Sequence, residues 1–295
     1  MPAFIEILRP RQWLKNGLVF VGLLFALPDR NQSVDLTRAE IRVLVAFVMF
    51  CLASSIIYII NDFRDREADR LHPEKKARPI ASGRLSQSAA IIEAVVLALI
   101  LAPGVVFMGD RFGYILTAYL FIQLTYTLLL KNLVLVDVFV IAFGFVLRVY
   151  AGTVAAGVSA SSWLLLCTFS VALFIILCKR YDERMMLGAD AAKHRKVLAH
   201  YEPQFLAHII TATAALTILC YAIYTLSPGT VAKFGHERLV ATVPFVVFGI
   251  YRYCYLVFCK GEGGRPERLV TTDLPTIINF LLYALTSAIA LSVKG

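Results

Sequence analysis

The sequence predicts an all-α, polytopic membrane protein. Three observations support this fold class: the 295 residues are 59% hydrophobic, the mean hydropathy is +0.73, and several apolar runs exceed the roughly 18 residues that indicate a membrane helix. A soluble domain of this composition would lack a polar surface for water. We therefore treat residues 1–295 as a single integral membrane domain.

Hydropathy predicts about nine spans. They cover residues 16–28, 41–61, 88–108, 112–130, 134–152, 162–180, 207–226, 239–259 and 274–293. The first is the weakest, because its apolar run is short and begins near Asn16. Two large polar loops separate the spans, at residues 62–87 and 181–206.

The distribution of charge predicts the orientation. The net charge is +9, and most Lys and Arg residues lie in loops that share one side of the membrane if the N-terminus is cytoplasmic. This asymmetry fits the positive-inside rule. We therefore expect a bacterial inner (cell) membrane protein whose N-terminus and active site are cytoplasmic and whose C-terminus, after an odd number of spans, lies outside.

Composition also narrows the classes of function. Bases near the spans suit the anionic headgroups of membrane lipids. Because the bases are divided among separate loops, we expect no nucleic-acid partner. The six cysteines lie in or beside apolar spans without a CxxC pair, so neither a disulfide framework nor a zinc site is expected.

The polar segment after the second span carries the strongest chemical signal. Its acids Asp62, Asp65 and Asp69 are three and four residues apart, and Asn61 precedes them. If the span continues as a helix into the cytoplasm, these side chains form one stripe. Carboxylates on one stripe repel one another unless a cation lies among them, and Mg²⁺ takes one or two carboxylates plus substrate phosphates. The segment therefore predicts a Mg²⁺ site, with a solvated helix end as the alternative.

A run of bases follows these acids. Lys75, Lys76 and Arg78 precede Pro79, which favours a turn, and Gly83, which permits one. The turn would fold the bases back over the acids as a phosphate clamp. The alternative is charge that only sets topology.

Further polar groups lie in or beside the spans, where ionisable side chains are costly and suggest function. Lys131 and Asp137 flank the inner end of the fifth span, and Arg148 lies deeper, where it would face a phosphate or pair with an acid. Arg252 lies near the inner interface, where it would snorkel to the headgroups.

Three other regions provide candidate binding residues. Lys15 begins the first span, and Tyr58 lies one turn before the acids, either in the same cavity or in an aromatic belt. Lys179 and Arg180 end the sixth span, at the level of a lipid phosphate, and cationic groups of both types suit phosphate.

At these residues the chain resembles the UbiA superfamily of intramembrane prenyltransferases. The NDxxDxxxD motif of that family is matched by Asn61, Asp62, Asp65 and Asp69. The resemblance implies a UbiA-type bundle of nine helices with a cytoplasm-facing cavity. More narrowly, RPRQWLKN, RPIASG and KRYDE, which begin at Arg9, Arg78 and Lys179, are similar to the decaprenyl-phosphate phosphoribosyltransferase branch.

One departure from the family pattern affects the metal sites. Aromatic prenyltransferases of the superfamily carry a second Asp-rich motif, commonly DxxxD, in the later loop. Here Asp182 is followed four residues on by Met186, and the next aspartate is Asp190. The resemblance therefore does not extend to a second Mg²⁺ site on that motif. The bases in this loop suit a lipid that enters as a monophosphate nucleophile.

The resemblance to the branch implies a reaction and roles for these residues. The enzyme would transfer a 5-phosphoribosyl group from phosphoribosyl diphosphate (PRPP) to a polyprenyl (decaprenyl) phosphate, release diphosphate with Mg²⁺, and feed cell-wall arabinan synthesis. Asn61 and Asp65 would be the catalytic metal ligands. Asp62 and Asp69 would either coordinate the metal directly or orient the groups that do. The donor phosphates would be held by Lys15, Tyr58, Lys75 and Arg78. Either phosphate group would be held by Lys131, Arg148, Lys179 and Arg180.

Two other functions stay open at this point. One is a true prenyltransferase, which moves a prenyl chain from its diphosphate to an aromatic acceptor; the missing later motif argues against it. The other is a transporter of anionic metabolites, which would place broken helices near the bilayer midplane. The charge clusters lie at one membrane face instead. Whether the chain forms a homo-oligomer also stays open.

Overall fold

The fold is described by a computed structural model that covers residues 1–26, 35–71, 75–188, 196–264 and 266–292. Its α-helices are α1 Ala3–Glu6, α2 Val21–Ala26, α3 Leu36–Arg64, α4 Arg66–Leu71, α5 Gln87–Met108, α6 Asp110–Leu128, α7 Val136–Ala156, α8 Ser162–Leu187, α9 Pro203–Leu226, α10 Pro228–Phe234, α11 Val243–Lys260, α12 Pro266–Thr272 and α13 Leu274–Ser292. Short 3₁₀ segments are Pro10–Phe20, Lys75–Ala77, Leu130–Asn132, Lys196–His200 and Arg238–Thr242. The described residues contain no strand, as the all-α prediction requires.

Seven stretches of the described chain are long and apolar enough to cross a membrane. They are α3, α5, α7, α8, α9, the stretch Arg238–Lys260 and Leu274–Leu291. The 19-residue α6 coincides with a further predicted span but falls outside these seven. Where the first span is predicted, the described residues form the end of a 3₁₀ segment and the six-residue α2. A multi-pass membrane protein is therefore confirmed, whereas the number of nine spans is not.

Local sequence explains where the long helices begin and end. Asp35 caps α3 by accepting a hydrogen bond from the backbone N–H of Arg38 at 3.1 Å, and Ser86 caps α5 in the same way from Ala89 at 3.2 Å. Gly109 ends α5 with a φ of +87°, a conformation that favours glycine.

The chain divides into two compact units, and α7 contributes to both. The first unit contains the described residues up to Lys131 together with Val146–Ala160, and the second contains Asn132–Phe145 and the described residues from Ser161 onward. In the second unit, α8 packs along α9, and the core includes Phe174 and Leu206.

Helix α3 is the axis of the first unit. It packs against α5, α6 and the 3₁₀ segment Pro10–Phe20, around a core that includes Phe50 and Tyr119. Near the start of α3, the guanidinium of Arg42 donates to the terminal carbonyls of Met108 at 2.7 Å and Ala155 at 3.3 Å. Carbonyls that have no intrahelical partner are thereby satisfied. The other end of α3 carries the acidic motif.

A close backbone approach joins α7 to α2 and to the end of the 3₁₀ segment Pro10–Phe20 within the first unit. A Cβ atom on Gly152 would lie 2.0 Å from the carbonyl oxygen of Val19, and one on Gly22 would lie 2.3 Å from the carbonyl carbon of Gly152. Both distances are far below van der Waals contact, so glycine is required at both positions.

Candidate functional site: an acid–base cluster at the end of α3

The acidic motif lies where α3 ends and α4 begins. Asp65 stands between the two helices, with φ −90° and ψ 7°, and its N–H still donates to the carbonyl oxygen of Asn61 at 2.9 Å. One acidic stripe was expected if the span continued as a single helix. The helix is instead interrupted at Asp65, and the carboxylates divide between two sets of basic partners.

Asp62 and Asp69 are joined through a single guanidinium. The Nη1 atom of Arg78 donates to Asp62 Oδ1 at 3.1 Å and to Asp69 Oδ2 at 2.6 Å. Arg9 donates to the same oxygen of Asp62. Both acids are buried, whereas the two arginine side chains are each 24% exposed. Two arginines and two aspartates thus alternate in one cluster, with the arginines on its solvent side.

Asp65 has a different basic partner. The Nζ atom of Lys131 lies 2.8 Å from both of its carboxylate oxygens. The two side chains are partly exposed, at 29% for Asp65 and 21% for Lys131. Asp65 is therefore the acid of the motif with the most access to water and to a soluble ligand.

The described part of the loop after α4 brings Arg78, one of the three predicted bases, to the acids, whereas Lys76 is exposed. Lys75–Ala77 forms a 3₁₀ turn, and the hydroxyl of Ser82 donates to the carbonyl oxygen of Arg78 at 2.7 Å. Gly83 has a φ of +76°. This turn places Arg78 over the acids. Lys75, three residues earlier, is half-buried.

Sequence analysis gave no site role to Arg9, which begins the RPRQWLKN segment. Its guanidinium lies 4.9 Å from the ring centroid of Tyr58, within cation–π range, and contacts Asp62. Burial lowers the pKa of Arg9, and the charge of Asp62 acts in the opposite direction. Its backbone is left-handed, at φ 53° and ψ 59°, although it carries a side chain and precedes Pro10. Such a conformation is costly and clusters at functional sites.

A second polar group lies deeper in the first unit. Arg148 is buried, and it donates from Nε to Asn16 Oδ1 at 2.8 Å and from Nη2 to the hydroxyl of Tyr119 at 2.7 Å. Asn16 in turn donates to Ser54 Oγ at 3.1 Å. The predicted candidate Lys15, next to Asn16, is exposed. Asn16 and Tyr119 thus contribute to positioning the Arg148 guanidinium.

The second unit contains the remaining predicted residues. Arg180 is buried and donates from Nε to Asp137 Oδ2 at 3.0 Å and from Nη1 to Glu183 Oε2 at 2.7 Å. The hydroxyl of Tyr201 donates to Asp137 Oδ1 at 2.6 Å. Burial and this carboxylate raise the pKa of Tyr201, so the phenol stays protonated. Lys179, one residue earlier, is half-buried.

The later acidic position has a backbone partner. Asp182 accepts a hydrogen bond from the N–H of Gly263 at 3.1 Å within the second unit. Asp190 and the bases of residues 193–195 lie outside the described residues.

The donor set of the first unit fits Mg²⁺ after a change of partners. In the described chain no three His, Cys, Asp or Glu side chains are grouped closely enough to hold a metal. However, one cationic nitrogen already lies between Asp62 and Asp69, and another bridges both oxygens of Asp65. Carboxylate and amide oxygens are ligands that Mg²⁺ accepts alongside phosphate, and Asn61 supplies the amide.

Comparison with known proteins shows which family the chain belongs to. Residues 17–269 match the model of the UbiA prenyltransferase family. The chain is 37% identical over 276 residues to decaprenyl-phosphate phosphoribosyltransferase of Corynebacterium glutamicum, covering 92% of this chain and 81% of that protein. It is 34% identical over 288 residues to the protein of the same name from Mycolicibacterium smegmatis, covering 95% and 90%.

A solved structure shows the same architecture. A UbiA homolog from Archaeoglobus fulgidus bound to GPP and Mg²⁺ superposes with a TM-score of 0.72 at 18% identity, over 99% of this chain and 100% of that one. At this identity the likeness shows the fold alone. The family model, the extent of the matches to curated relatives and the fold together show that the chain belongs to the UbiA prenyltransferase family.

Proposed function

We propose that this protein transfers the 5-phosphoribosyl group of PRPP to a polyprenyl phosphate and releases diphosphate. The observation that carries the proposal is the acid–base cluster of the first unit, in a chain whose matched relatives are named decaprenyl-phosphate phosphoribosyltransferase. Carboxylates for a metal and flexible bases for phosphates are the groups that departure of a diphosphate requires.

The chemistry requires little acid–base assistance. The bond from ribosyl C1 to the diphosphate oxygen breaks, and a bond from C1 to a phosphate oxygen of the lipid forms. The nucleophile is already ionised near pH 7, so no strong general base is needed. The protein contributes mainly positioning and stabilisation of charge on the leaving group.

The metal would be held by Asn61 and Asp65. Asp62 and Asp69 would either coordinate the metal directly or orient the groups that do. When bound, Mg²⁺ neutralises charge on the diphosphate. Asp65 is the best placed of the acids, because its carboxylate is partly exposed and its partner Lys131 is a flexible side chain. Asp62, buried between two arginines, instead orients those bases.

The phosphate groups of the donor would be held by bases around this cluster. Arg78 and Lys131 already lie within hydrogen-bond distance of the acids, and Lys75 belongs to the same loop as Arg78. Lys15 and Tyr58 complete the proposed donor site, Tyr58 by supporting the guanidinium of Arg9.

The remaining bases would serve the lipid phosphate. Arg148 lies beside Asn16 and Tyr119 in the first unit, and Lys179 ends the sixth predicted span. Arg180 is engaged by Asp137 and Glu183, so its proposed contact with a phosphate requires release from one of them. We place the N-terminus and the site in the cytoplasm of a bacterial cell, at the inner membrane, with the C-terminus outside.

The test is a detergent assay with Mg²⁺, ribose-labelled PRPP and a polyprenyl monophosphate, followed by extraction of lipid. Label in the lipid phase that disappears on adding EDTA would support the proposal. Turnover of a polyprenyl diphosphate with an aromatic acceptor, without labelled lipid, would show an ordinary prenyltransferase instead. Lys179→Ala should raise the apparent KM for the lipid phosphate; an effect confined to PRPP would reassign it.

A further inference from the structure

The three aspartates of the motif are paired with bases of the same unit. Arg78 contacts Asp62 and Asp69, and Lys131 contacts Asp65. Because each base lies where an oxygen-coordinated cation would make its bonds, a metal ion and these bases compete for the same carboxylate oxygens. Like charges at such short range repel strongly, so both cannot occupy the cluster in its present arrangement.

The competing bases reach solvent. Arg78 is 24% exposed although its partners Asp62 and Asp69 are buried, and Lys131 is 21% exposed beside Asp65, which is 29% exposed. Both bases end long side chains whose heads reach solvent, where a diphosphate would arrive. Arginine and lysine bind phosphate at least as readily as carboxylate. The bases therefore have a second partner as soon as an anionic substrate enters.

We propose that Arg78 and Lys131 act as built-in counter-ions that are exchanged for Mg²⁺ when the diphosphate binds. In the free protein they neutralise the acids. On loading, they move to the diphosphate, and Asp65 and Asp69 become available to the metal. Arg9, which contacts Asp62 and Tyr58, stays in place and holds the cluster. The inference rests on the proposed function, since it assumes a metal–diphosphate donor.

The exchange makes metal and diphosphate bind cooperatively. Without diphosphate, the metal must displace two bases that then have no phosphate to bind, so the metal binds weakly. Diphosphate alone must take the bases and leave the carboxylates without neutralisation. Only together do all charges find partners, and each ligand strengthens the binding of the other by the same factor.

The test is direct metal binding, which does not require turnover. Mn²⁺ is titrated into purified protein in detergent, and free Mn²⁺ is measured by electron paramagnetic resonance. The variant Arg78→Gln should bind Mn²⁺ alone about tenfold tighter than wild type, because one competing charge is gone. The same variant should retain radiolabelled pyrophosphate about tenfold more weakly at saturating Mg²⁺, because one phosphate contact is lost. Lys131→Gln should likewise bind Mn²⁺ more tightly and pyrophosphate more weakly than wild type.

Two matched variants control for effects on the fold. Arg252→Gln removes a guanidinium from an ion pair with Asp273 in the second unit, and both affinities should stay unchanged. Arg78→Lys keeps the charge and should bind Mn²⁺ like wild type. If Arg78→Gln binds Mn²⁺ no better than wild type, or if Arg252→Gln tightens it equally, the exchange is refuted.

The outcome separates this inference from the proposed function. If wild-type protein transfers label from PRPP to lipid but Arg78→Gln and Lys131→Gln bind Mn²⁺ like wild type, phosphoribosyl transfer is supported and the exchange is refuted. If the Gln variants bind Mn²⁺ more tightly and pyrophosphate more weakly, but wild-type protein yields no labelled lipid from PRPP, the exchange is supported and PRPP is refuted as the donor.

Discussion

Two acids of the motif should respond differently to loss of charge. Asp62 is 2% exposed and contacts guanidinium groups from Arg9 and Arg78, whereas Asp65 is 29% exposed and contacts Lys131. The variants Asp62→Asn and Asp65→Asn each remove one charge and nearly preserve the shape of the side chain. The pair therefore compares a buried with a partly exposed carboxylate in one motif.

The expected cost follows from burial. Breaking a buried ion pair costs about 3–5 kcal/mol, and breaking an exposed one costs about 0–1 kcal/mol. Because Arg9 and Arg78 keep some access to water, we expect about 2–3 kcal/mol for Asp62→Asn. Asp65→Asn should cost at most about 1 kcal/mol. At about 2 °C per kcal/mol for a chain of this size, the losses in Tm are about 4–6 °C and below about 2 °C.

The assay combines thermal unfolding in one detergent with the lipid-labelling reaction. Asp65→Asn should remain folded yet lose label on the order of 100-fold, since we propose Asp65 as a ligand of the metal. A fall in Tm for Asp65→Asn as large as that for Asp62→Asn would refute the argument from burial. Activity of Asp65→Asn like that of wild type would remove Asp65 from the metal site.

Two further predictions concern packing and pH. Gly152→Ala places a Cβ 2.0 Å from the carbonyl oxygen of Val19, so we expect no folded protein to be recovered on size-exclusion chromatography. The control Gly17→Ala adds a Cβ where no other atom lies within 4 Å and should be recovered like wild type. The hydrogen bond from Arg252 lowers the pKa of Asp273, so this pair stabilises the fold above the ordinary aspartate pKa and loses its effect as pH falls below about 4. Tm measured from pH 6 to pH 3 should therefore fall less steeply in Asp273→Asn than in wild type; equal slopes would contradict the assignment.

The long helices were predictable because their signal is local. The predicted span at 88–108 corresponds to α5 at Gln87–Met108, and the one at 162–180 begins with α8 at Ser162. Apolar runs of this length have few alternatives to a helix in a membrane. The first span was less predictable, since Pro10–Phe20 forms a 3₁₀ segment of a length that is uncommon for this conformation.

The partners within the site were not predictable from local sequence. Arg9 and Asp62 are 53 residues apart, and Arg148 and Asn16 are 132 apart. Spacing along one helix identified the acids but carries no information about which distant base will face each one. The same limit applies to Arg180, which sequence analysis assigned to a phosphate and which the structure pairs with Asp137.

The interruption of α3 at Asp65 lies between the long helix and several groups that would change partners in the proposed exchange. Asp62, before the interruption, is buried, whereas Asp65, Asp69 and Arg78 lie at or after it. We therefore expect substrate loading to change the backbone at Asp65 and to leave the orientation of the 29-residue α3 unchanged. Amide hydrogen exchange should accordingly respond to pyrophosphate and Mg²⁺ between Asp65 and Ser82, and stay constant in the preceding turns of α3.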